Sequence, residues 1–171
     1  MLITSDMKNI ILIGMPGAGK STLGVLLAKA LNMNFADTDL DIQRYTGELL
    51  YKTIENRGIN DFLNIEQKVI CETNYNNTVI ATGGSAVYGE KAMAHLKSDG
   101  IVIYIDLSCE EIIRRVSNIT TRGVVMKAGK TMADVYAERV PLYKKYADYI
   151  VLCEGKSIEE SVSIIKDLIN E

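Results

Sequence analysis

A glycine-rich stretch near the start of the chain ends in a lysine and two hydroxyl residues. Residues 14–21 read GMPGAGKS and fit the pattern G-x-x-x-x-G-K-[ST]. In this pattern backbone N–H groups surround phosphate oxygens, the lysine places a positive charge beside the terminal phosphates, and the hydroxyl is a ligand for Mg²⁺. The sequence therefore predicts a binding site for ATP or GTP, formed by Gly17, Ala18, Gly19, Lys20, Ser21 and Thr22.

Two carboxylates follow the next short apolar segment of the chain. Asp37 and Asp39 come directly after Phe35 and Ala36. If the extended backbone continues, both side chains point the same way, which suits a Mg²⁺-bound water and proton abstraction. The alternative is that Asp37 caps a helix and Asp39 lies in its first turn. The residues alone leave both interpretations open.

A basic segment with glycines lies late in the chain. Residues 118–130 lack apolar periodicity and include Arg122, Lys127, Lys130, Gly123 and Gly129. In a nucleotide-binding enzyme such a segment is typical of a lid that closes over phosphates. A solvated loop is the alternative.

Strands and helices alternate along the whole chain and must position these residues. The predicted strands are residues 9–13, a short one ending at 36, 78–82, 101–107 and 149–153, and two of the predicted helices are 49–56 and 59–75. This alternation predicts one α/β domain over residues 1–171, with a five-stranded parallel sheet flanked by helices. Ligands of such sheets bind beyond the carboxyl ends of the strands. The glycine-rich loop, the acid pair and the turn Gly83-Gly84-Ser85 all follow strands, so we expect one shared site.

Composition limits the partners that we expect. The chain has 171 residues and a net charge of −3, which gives no electrostatic footprint for nucleic acid. It has no apolar run of membrane-spanning length. Its three cysteines are far apart in sequence, and we interpret them as reduced. We therefore expect a cytoplasmic protein that acts on a small molecule, without nucleic acid or membrane partners. We also expect a monomer, although none of these features bears on the oligomeric state.

The order of these motifs resembles the shikimate kinase family of small P-loop kinases. The resemblance covers nearly the whole chain and rests on GMPGAGKST, FADTD, ATGGSAV, Arg122 and ERVPLYKKYAD. It implies a three-layer P-loop NTPase fold like that of nucleoside monophosphate kinases, with an acceptor-binding subregion at 40–75 and a lid at 118–130. It also implies ATP- and Mg²⁺-dependent phosphorylation of shikimate to shikimate 3-phosphate, a step of chorismate and aromatic amino-acid biosynthesis.

The resemblance assigns a role to individual residues. Asp37 would hold a Mg²⁺-bound water, and Asp39 would bind the acceptor hydroxyls and act as, or orient, the base. Arg122 would neutralise charge on the transferred phosphoryl group. Three further sets of residues receive roles. The backbone N–H groups of Gly83, Gly84 and Ser85 would donate to the acceptor, and Arg139 would bind its carboxylate. Arg115 and residues 153–156, which include Gly155, would lie beside the adenine.

Three departures from the family pattern affect the expected acceptor. Leu63 stands where the family has an arginine in the pattern E-F-R-x-x-E, Ser85 replaces a third glycine, and the lid's R-P-L-L is R-G-V-V. A charge-assisted hydrogen bond is worth roughly 1.5–3 kcal/mol, so the missing arginine should weaken the binding of a carboxylate. Arg57 and Lys68 are the candidates to replace it. The alternatives to shikimate are another small polyol or hydroxy acid and, in a different class, a non-catalytic nucleotide-binding module.

Overall fold

A five-stranded parallel sheet forms the centre of the protein. The structure, a computed structural model, describes residues 8–117 and 124–170. The strands are β1 Asn9–Ile13, β2 Asn34–Asp37, β3 Thr78–Ala81, β4 Gly100–Asp106 and β5 Tyr149–Leu152. They lie in the order β2-β3-β1-β4-β5, and every neighbouring pair is parallel. The predicted sheet is therefore confirmed.

Seven helices of the described chain flank this sheet. They are α1 Lys20–Leu31, α2 Thr38–Thr46, α3 Leu50–Glu72, α4 Glu90–Ser98, α5 Cys109–Val116, α6 Met132–Tyr146 and α7 Ile158–Asn170, with a short 3-10 helix at Ala86–Tyr88. Helix α1 packs against α7, and α3 packs against α4. No helix among the described residues is long and apolar enough to cross a membrane.

The strand order brings the predicted loops to one edge of the sheet. All residues of β1 and β3 are buried, as expected for strands covered on both faces, whose sequences are continuous apolar runs. Because β2, β3 and β1 are neighbours, their carboxyl ends place Asp37, Gly83 and the glycine-rich loop side by side.

The region of residues 40–75 forms a second, small apolar core together with Val125. Its buried members are Ile42, Phe62, Val69 and Val125, and Leu63 is one of the partly buried residues that pack against them. Helix α3 spans Leu50–Glu72 with a kink at Gly58, whose φ of 82° and ψ of 166° are not helical. The two helices predicted on either side of this glycine are thus joined end to end, with a break at the expected place.

Candidate active site

The glycine-rich loop curves around the amino end of α1. Gly17 and Gly19 have positive φ values of 79° and 88°, which glycine adopts without strain. Lys20 begins α1, so the positive end of the helix dipole faces the space inside the loop. Ala18 is buried in the loop, and Thr22 is exposed in the first turn of the helix.

The Lys20 side chain lies inside the loop rather than in solvent. It is 7% exposed, and its Nζ donates hydrogen bonds to the carbonyl oxygens of Gly14 at 2.7 Å and Met15 at 2.8 Å. These bonds hold the ammonium group at the wall of the cavity that the loop lines. The charge is thus already fixed near the position where phosphates would bind.

Asp37 joins the glycine-rich loop to the start of α2. Its Oδ2 accepts a hydrogen bond from Ser21 Oγ at 2.7 Å, and its Oδ1 accepts one from the backbone N–H of Asp39 at 3.0 Å. Asp37 is therefore the N-cap of α2, and the extended backbone does not continue to Asp39, because the helix begins at Thr38. The helix-cap interpretation of the backbone is therefore correct, while the roles of the two carboxylates toward Mg²⁺ and the acceptor stay predictions. Both carboxylates nevertheless line the same cavity.

The turn after β3 must approach two carboxylates closely. A Cβ atom on Gly83 would lie 2.8 Å from Asp39 Oδ1 and 2.8 Å from Glu66 Oε1, so only glycine fits there. The backbone N–H of Gly83, predicted as a donor to the acceptor, donates to Thr38 Oγ1 at 3.1 Å. A Cβ atom on Gly84 would lie 3.0 Å from Arg139 Nη1.

Arg139 is almost completely buried at the other side of this turn. It is 1% exposed, its Nη2 donates to the carbonyl oxygen of Val125 at 2.5 Å, and its Nε donates to the Tyr88 phenol at 3.3 Å. The guanidinium carbon also lies 5.2 Å from the centre of the Tyr88 ring. Tyr143, one turn further along α6, donates to the carbonyl oxygen of Gly84 at 2.6 Å. The arginine is thus held in a fixed orientation.

One cavity of about 530 Å³ brings most of the predicted residues together. This volume is in the range of small-molecule sites. Among the residues predicted from the sequence, its lining includes Gly17, Gly19, Lys20, Ser21, Asp37, Asp39, Gly83, Gly84, Ser85 and Arg139. The rest of the wall is mainly apolar, with Leu40, Leu49, Leu50, Tyr51, Phe62, Val124 and Val125.

The residues predicted to contact adenine lie on the β4 and β5 side of the loop. Arg115 is half-buried, and its Nε donates to Glu111 Oε1 at 2.6 Å. A Cβ atom on Gly17 would lie 3.6 Å from Arg115 Cβ, so this arginine packs beside the glycine-rich loop. Gly155, with φ 71°, is exposed in the turn after β5. Neither residue is part of the cavity lining.

The predicted lid is only partly within the described residues. Arg122 lies outside them. Of the described part, Val124 and Val125 line the cavity, and Lys130 forms an ion pair with Glu138 of α6. Closure of residues 118–130 over a nucleotide stays a prediction.

Neither candidate to replace the missing arginine reaches the cavity. Arg57 is exposed, and Lys68 Nζ donates to the Tyr45 phenol at 2.9 Å on the outer surface. Leu63 itself packs into the small core instead of facing the cavity. Within residues 8–117 and 124–170, the cations that line the cavity are therefore Lys20 and Arg139.

Sequence reasoning gave no role to Glu66 or Tyr88. Glu66 is 2% exposed, and its Oε2 accepts a hydrogen bond from Ser85 Oγ at 2.7 Å. Burial raises the pKa of its carboxyl to about 7. Two signals were available: Glu66 occupies the final glutamate of the family pattern E-F-R-x-x-E, and it is a carboxylate on the apolar stripe of α3, between Phe62 and Val69. Nothing in the sequence pattern singled out Tyr88.

The oxygen atoms at the loop fit a magnesium ion that accompanies a nucleotide. Ser21 Oγ and Asp37 Oδ2 are 2.7 Å apart, and hydroxyl and carboxylate oxygens are the ligands that Mg²⁺ prefers. No group of three or more His, Cys, Asp or Glu side chains in the described part of the chain could form a metal site. A Mg²⁺ ion that binds through phosphates, waters and one or two protein oxygens does not require such a group.

Comparison with known proteins identifies the family. The sequence model described as shikimate kinase matches residues 16–170. A curated shikimate kinase of Clostridium botulinum strain Eklund 17B is 39% identical over 165 residues, covering 95% of this chain and 98% of the relative. One of Pseudomonas fluorescens strain Pf0-1 is 38% identical over 148 residues, covering 85% and 86%.

Solved structures agree with this result. Shikimate kinase from Acinetobacter baumannii in complex with shikimate is 31% identical, with a TM-score of 0.88, covering 96% of this chain and 93% of that one. Thymidylate kinase from Candida albicans, at 15% identity and a TM-score of 0.64, covering 98% and 93%, shares the fold. The predicted P-loop kinase fold is confirmed, and the chain belongs to the shikimate kinase family.

Proposed function

We propose that this protein transfers the γ-phosphoryl group of ATP to a hydroxyl group of shikimate, with Mg²⁺ as cofactor. The observation that carries this proposal is that one cavity holds the phosphate loop, the Ser21–Asp37 pair, Asp39 and the buried Arg139. Family membership and the shikimate named in the complex of the Acinetobacter baumannii relative support this acceptor.

The phosphate end of the cavity binds and orients the donor. The backbone N–H groups of the loop and the amino end of α1 attract the phosphates, and Lys20 places its charge beside the β- and γ-phosphates. Ser21 and Asp37 would hold Mg²⁺, with Asp37 acting through a bound water. When bound, the ion neutralises charge on the phosphate oxygens. Arg115 and residues 153–156, with Gly155, would border the adenine, and Arg122 would approach from the lid.

The opposite end binds the acceptor and receives its proton. Arg139 would bind the acceptor carboxylate, and Asp39 would accept a hydrogen bond from the hydroxyl that reacts. As the oxygen of that hydroxyl forms its bond to phosphorus, the bond from phosphorus to ADP breaks and the hydroxyl proton passes to Asp39 or, through it, to water. The products are ADP and shikimate 3-phosphate.

We further propose that the protein acts as a cytoplasmic monomer on small molecules alone. The net charge of −3 supports the absence of a nucleic-acid partner. Gel filtration across a range of protein concentrations would test the monomer, and an elution volume that shifts with concentration would contradict it.

Another small hydroxy acid is the second candidate acceptor. It is favoured by Leu63, which packs into the small core and leaves Arg139 as the cation at the acceptor end of the described residues. A coupled assay of ADP release over shikimate, quinate, homoserine and gluconate distinguishes the candidates. We expect the highest kcat/KM with shikimate. A higher kcat/KM with another acceptor would replace shikimate as the proposed substrate. ATP hydrolysis that no acceptor stimulates would contradict the proposal that the protein is a kinase.

A further inference from the structure

Glu66 is a buried carboxyl group for which the proposed reaction has no use. Its side chain projects from α3 and is 2% exposed. Ser85 Oγ donates to its Oε2 at 2.7 Å, while its Oε1 has no hydrogen-bond partner among the described residues. A buried polar atom without a partner costs free energy, so its presence needs an explanation.

The unpaired oxygen lies directly behind the wall of the acceptor site. Glu66 Oε1 and Asp39 Oδ1 are each 2.8 Å from the position that a Cβ atom on Gly83 would occupy. Both oxygens therefore lie on the face of Gly83 from which a side chain would project. Ser85, the donor to Glu66, is itself part of the cavity lining. A change in the charge of Glu66 thus acts at the surface that the acceptor contacts.

The groups around Glu66 place the pKa of its carboxyl group near neutral pH. Burial contributes most to raising its pKa to about 7, and the carboxylate of Asp39 on α2 raises it further. The hydrogen bond from Ser85 and the charge of Arg139 on α6 act in the opposite direction. The phenol of Tyr143 on the same helix also faces Glu66, and burial together with the charge of Glu66 helps to keep that phenol protonated.

Because Leu63 supplies no positive charge at the acceptor end, the charge of Glu66 has a large influence on the affinity for an anionic acceptor. With Glu66 neutral, Arg139 and Asp39 carry opposite charges at the acceptor end. Ionisation of Glu66 adds a negative charge beside Asp39, and this added charge repels the carboxylate of a hydroxy acid. Within the described residues no further cation lines the cavity there, since Lys20 lies at the phosphate end.

We propose that Glu66 determines specificity in the acceptor site by remaining neutral when an anionic hydroxy acid binds, so that the acceptor binds together with one proton. The proposal rests on the proposed function, because it takes the acceptor to be an anion at this site. Ser85 sets the pH range of the effect through its hydrogen bond to the same carboxyl. Glu66 acts here through Arg139 and the cavity wall and is a positioning residue.

The proposal makes the affinity for shikimate depend on pH. The carboxylate of shikimate is ionised throughout the range from pH 6 to 9, so its own charge does not change. If only the form with neutral Glu66 binds well, the dissociation constant should rise by up to about tenfold per pH unit above pH 7. Glu66→Gln carries a neutral side chain of the same size, so its dissociation constant should stay flat.

Calorimetry of shikimate binding measures this proton directly. The binding enthalpy of the intact protein is recorded at pH 8 in two buffers with different ionisation enthalpies. We expect net uptake of most of one proton by the native protein and none by Glu66→Gln. Ser85→Ala removes the bond that lowers the pKa of Glu66, so its rise in dissociation constant should begin at higher pH than in the native protein.

Two further measurements separate this effect from a structural one. The KM of ATP should be the same in Glu66→Gln and in the native protein, because Glu66 lies at the acceptor end. NMR of protein labelled with ¹³C in its glutamate carboxyls should show Glu66 titrating between pH 6 and 8 without any ligand. If Glu66→Gln does not fold, Ser85→Ala and the native protein still provide the test.

The outcomes distinguish this proposal from the function on which it rests. Shikimate binding without proton uptake, or equal uptake in Glu66→Gln, overturns the role of Glu66 and leaves the kinase intact. A protein that binds no shikimate at any pH overturns the proposed acceptor. In that case the NMR titration decides, because a Glu66 carboxyl that is ionised throughout overturns the present proposal as well.

Discussion

At the scale of single residues, the described part of the cavity has few charged side chains at the end where we propose that the acceptor binds. Arg139 is buried with both ends of its guanidinium group engaged, and Asp39 faces it across the glycine turn. Leu63 contributes packing to the small core at the position where the family resemblance leads us to expect a cation. Leu63 and Asp39 each give a prediction at this scale.

Leu63→Arg tests which acceptor the site prefers. If shikimate is the acceptor and the longer arginine side chain extends from the small core into the cavity, kcat/KM for shikimate should rise about tenfold, the effect of roughly 1.4 kcal/mol from one charge-assisted contact. If the native acceptor is smaller or less acidic, kcat/KM for it should fall, because an unpaired charge then lies in an apolar cluster. Leu63→Met is the control for packing. A loss of activity toward shikimate in the arginine variant would contradict the two-arginine interpretation.

The two aspartates should differ in kinetic effect. Asp39→Asn should lower kcat strongly with little change in the KM of ATP, because we propose that Asp39 contacts the acceptor. Asp37→Asn should instead raise the Mg²⁺ concentration needed for half-maximal activity, because its oxygen beside Ser21 would hold the ion's water. Steady-state kinetics with Mg²⁺ titration checks both. Equal loss of ATP affinity in the two variants would contradict this division of roles.

At the scale of elements, the parallel sheet and the phosphate loop could be predicted from the sequence, because the patterns that indicate them lie within short stretches of the chain. Strands buried on both faces are continuous apolar runs, and the loop requires glycines at particular positions. The geometry at Asp37 was left open because capping depends on whether the next residues form a helix. The environment of Glu66 depends on Ser85, which lies 19 residues further along and meets it only in the folded chain. The role of Tyr88 depends on α6 in the same way.

A set of contacts between the 3-10 helix and α6 holds Arg139 in place. The Tyr88 phenol donates to Glu138 Oε1 at 2.5 Å and accepts from Arg139 Nε, and Glu138 is also paired with Lys130. Tyr88→Phe should therefore raise the KM of shikimate between about two- and tenfold, the effect of one net hydrogen bond, with the KM of ATP unchanged. Tyr45→Phe removes a phenol bonded to Lys68 on the outer surface and is the matched control. Equal KM values in both variants would show that Tyr88 does not orient Arg139.

At the scale of the whole molecule, burial of Glu66 makes stability depend on pH. Its pKa of about 7 in the folded protein exceeds its ordinary value of 4.5, so the folded state binds more protons between these limits. The contribution of Glu66 to stability is complete below pH 4.5 and is lost as the pH rises to 7. At pH 8, Glu66→Gln should therefore have a larger free energy of unfolding than the native protein, by roughly 1.4 kcal/mol for each unit of pKa difference, and should unfold at a higher temperature. At pH 4.5 the two proteins should unfold at the same temperature. An equal difference at both values would contradict a buried, titrating Glu66.

The central claim is that the cavity transfers phosphate from ATP to a hydroxyl group of shikimate. The most direct measurement is ³¹P NMR of ATP, Mg²⁺ and shikimate with the native protein, beside a sample with Lys20→Met. We predict one new phosphate monoester signal in equal amount to ADP with the native protein and none with the variant. Release of ADP with inorganic phosphate as the only other product, or the same monoester from Lys20→Met, would contradict the account.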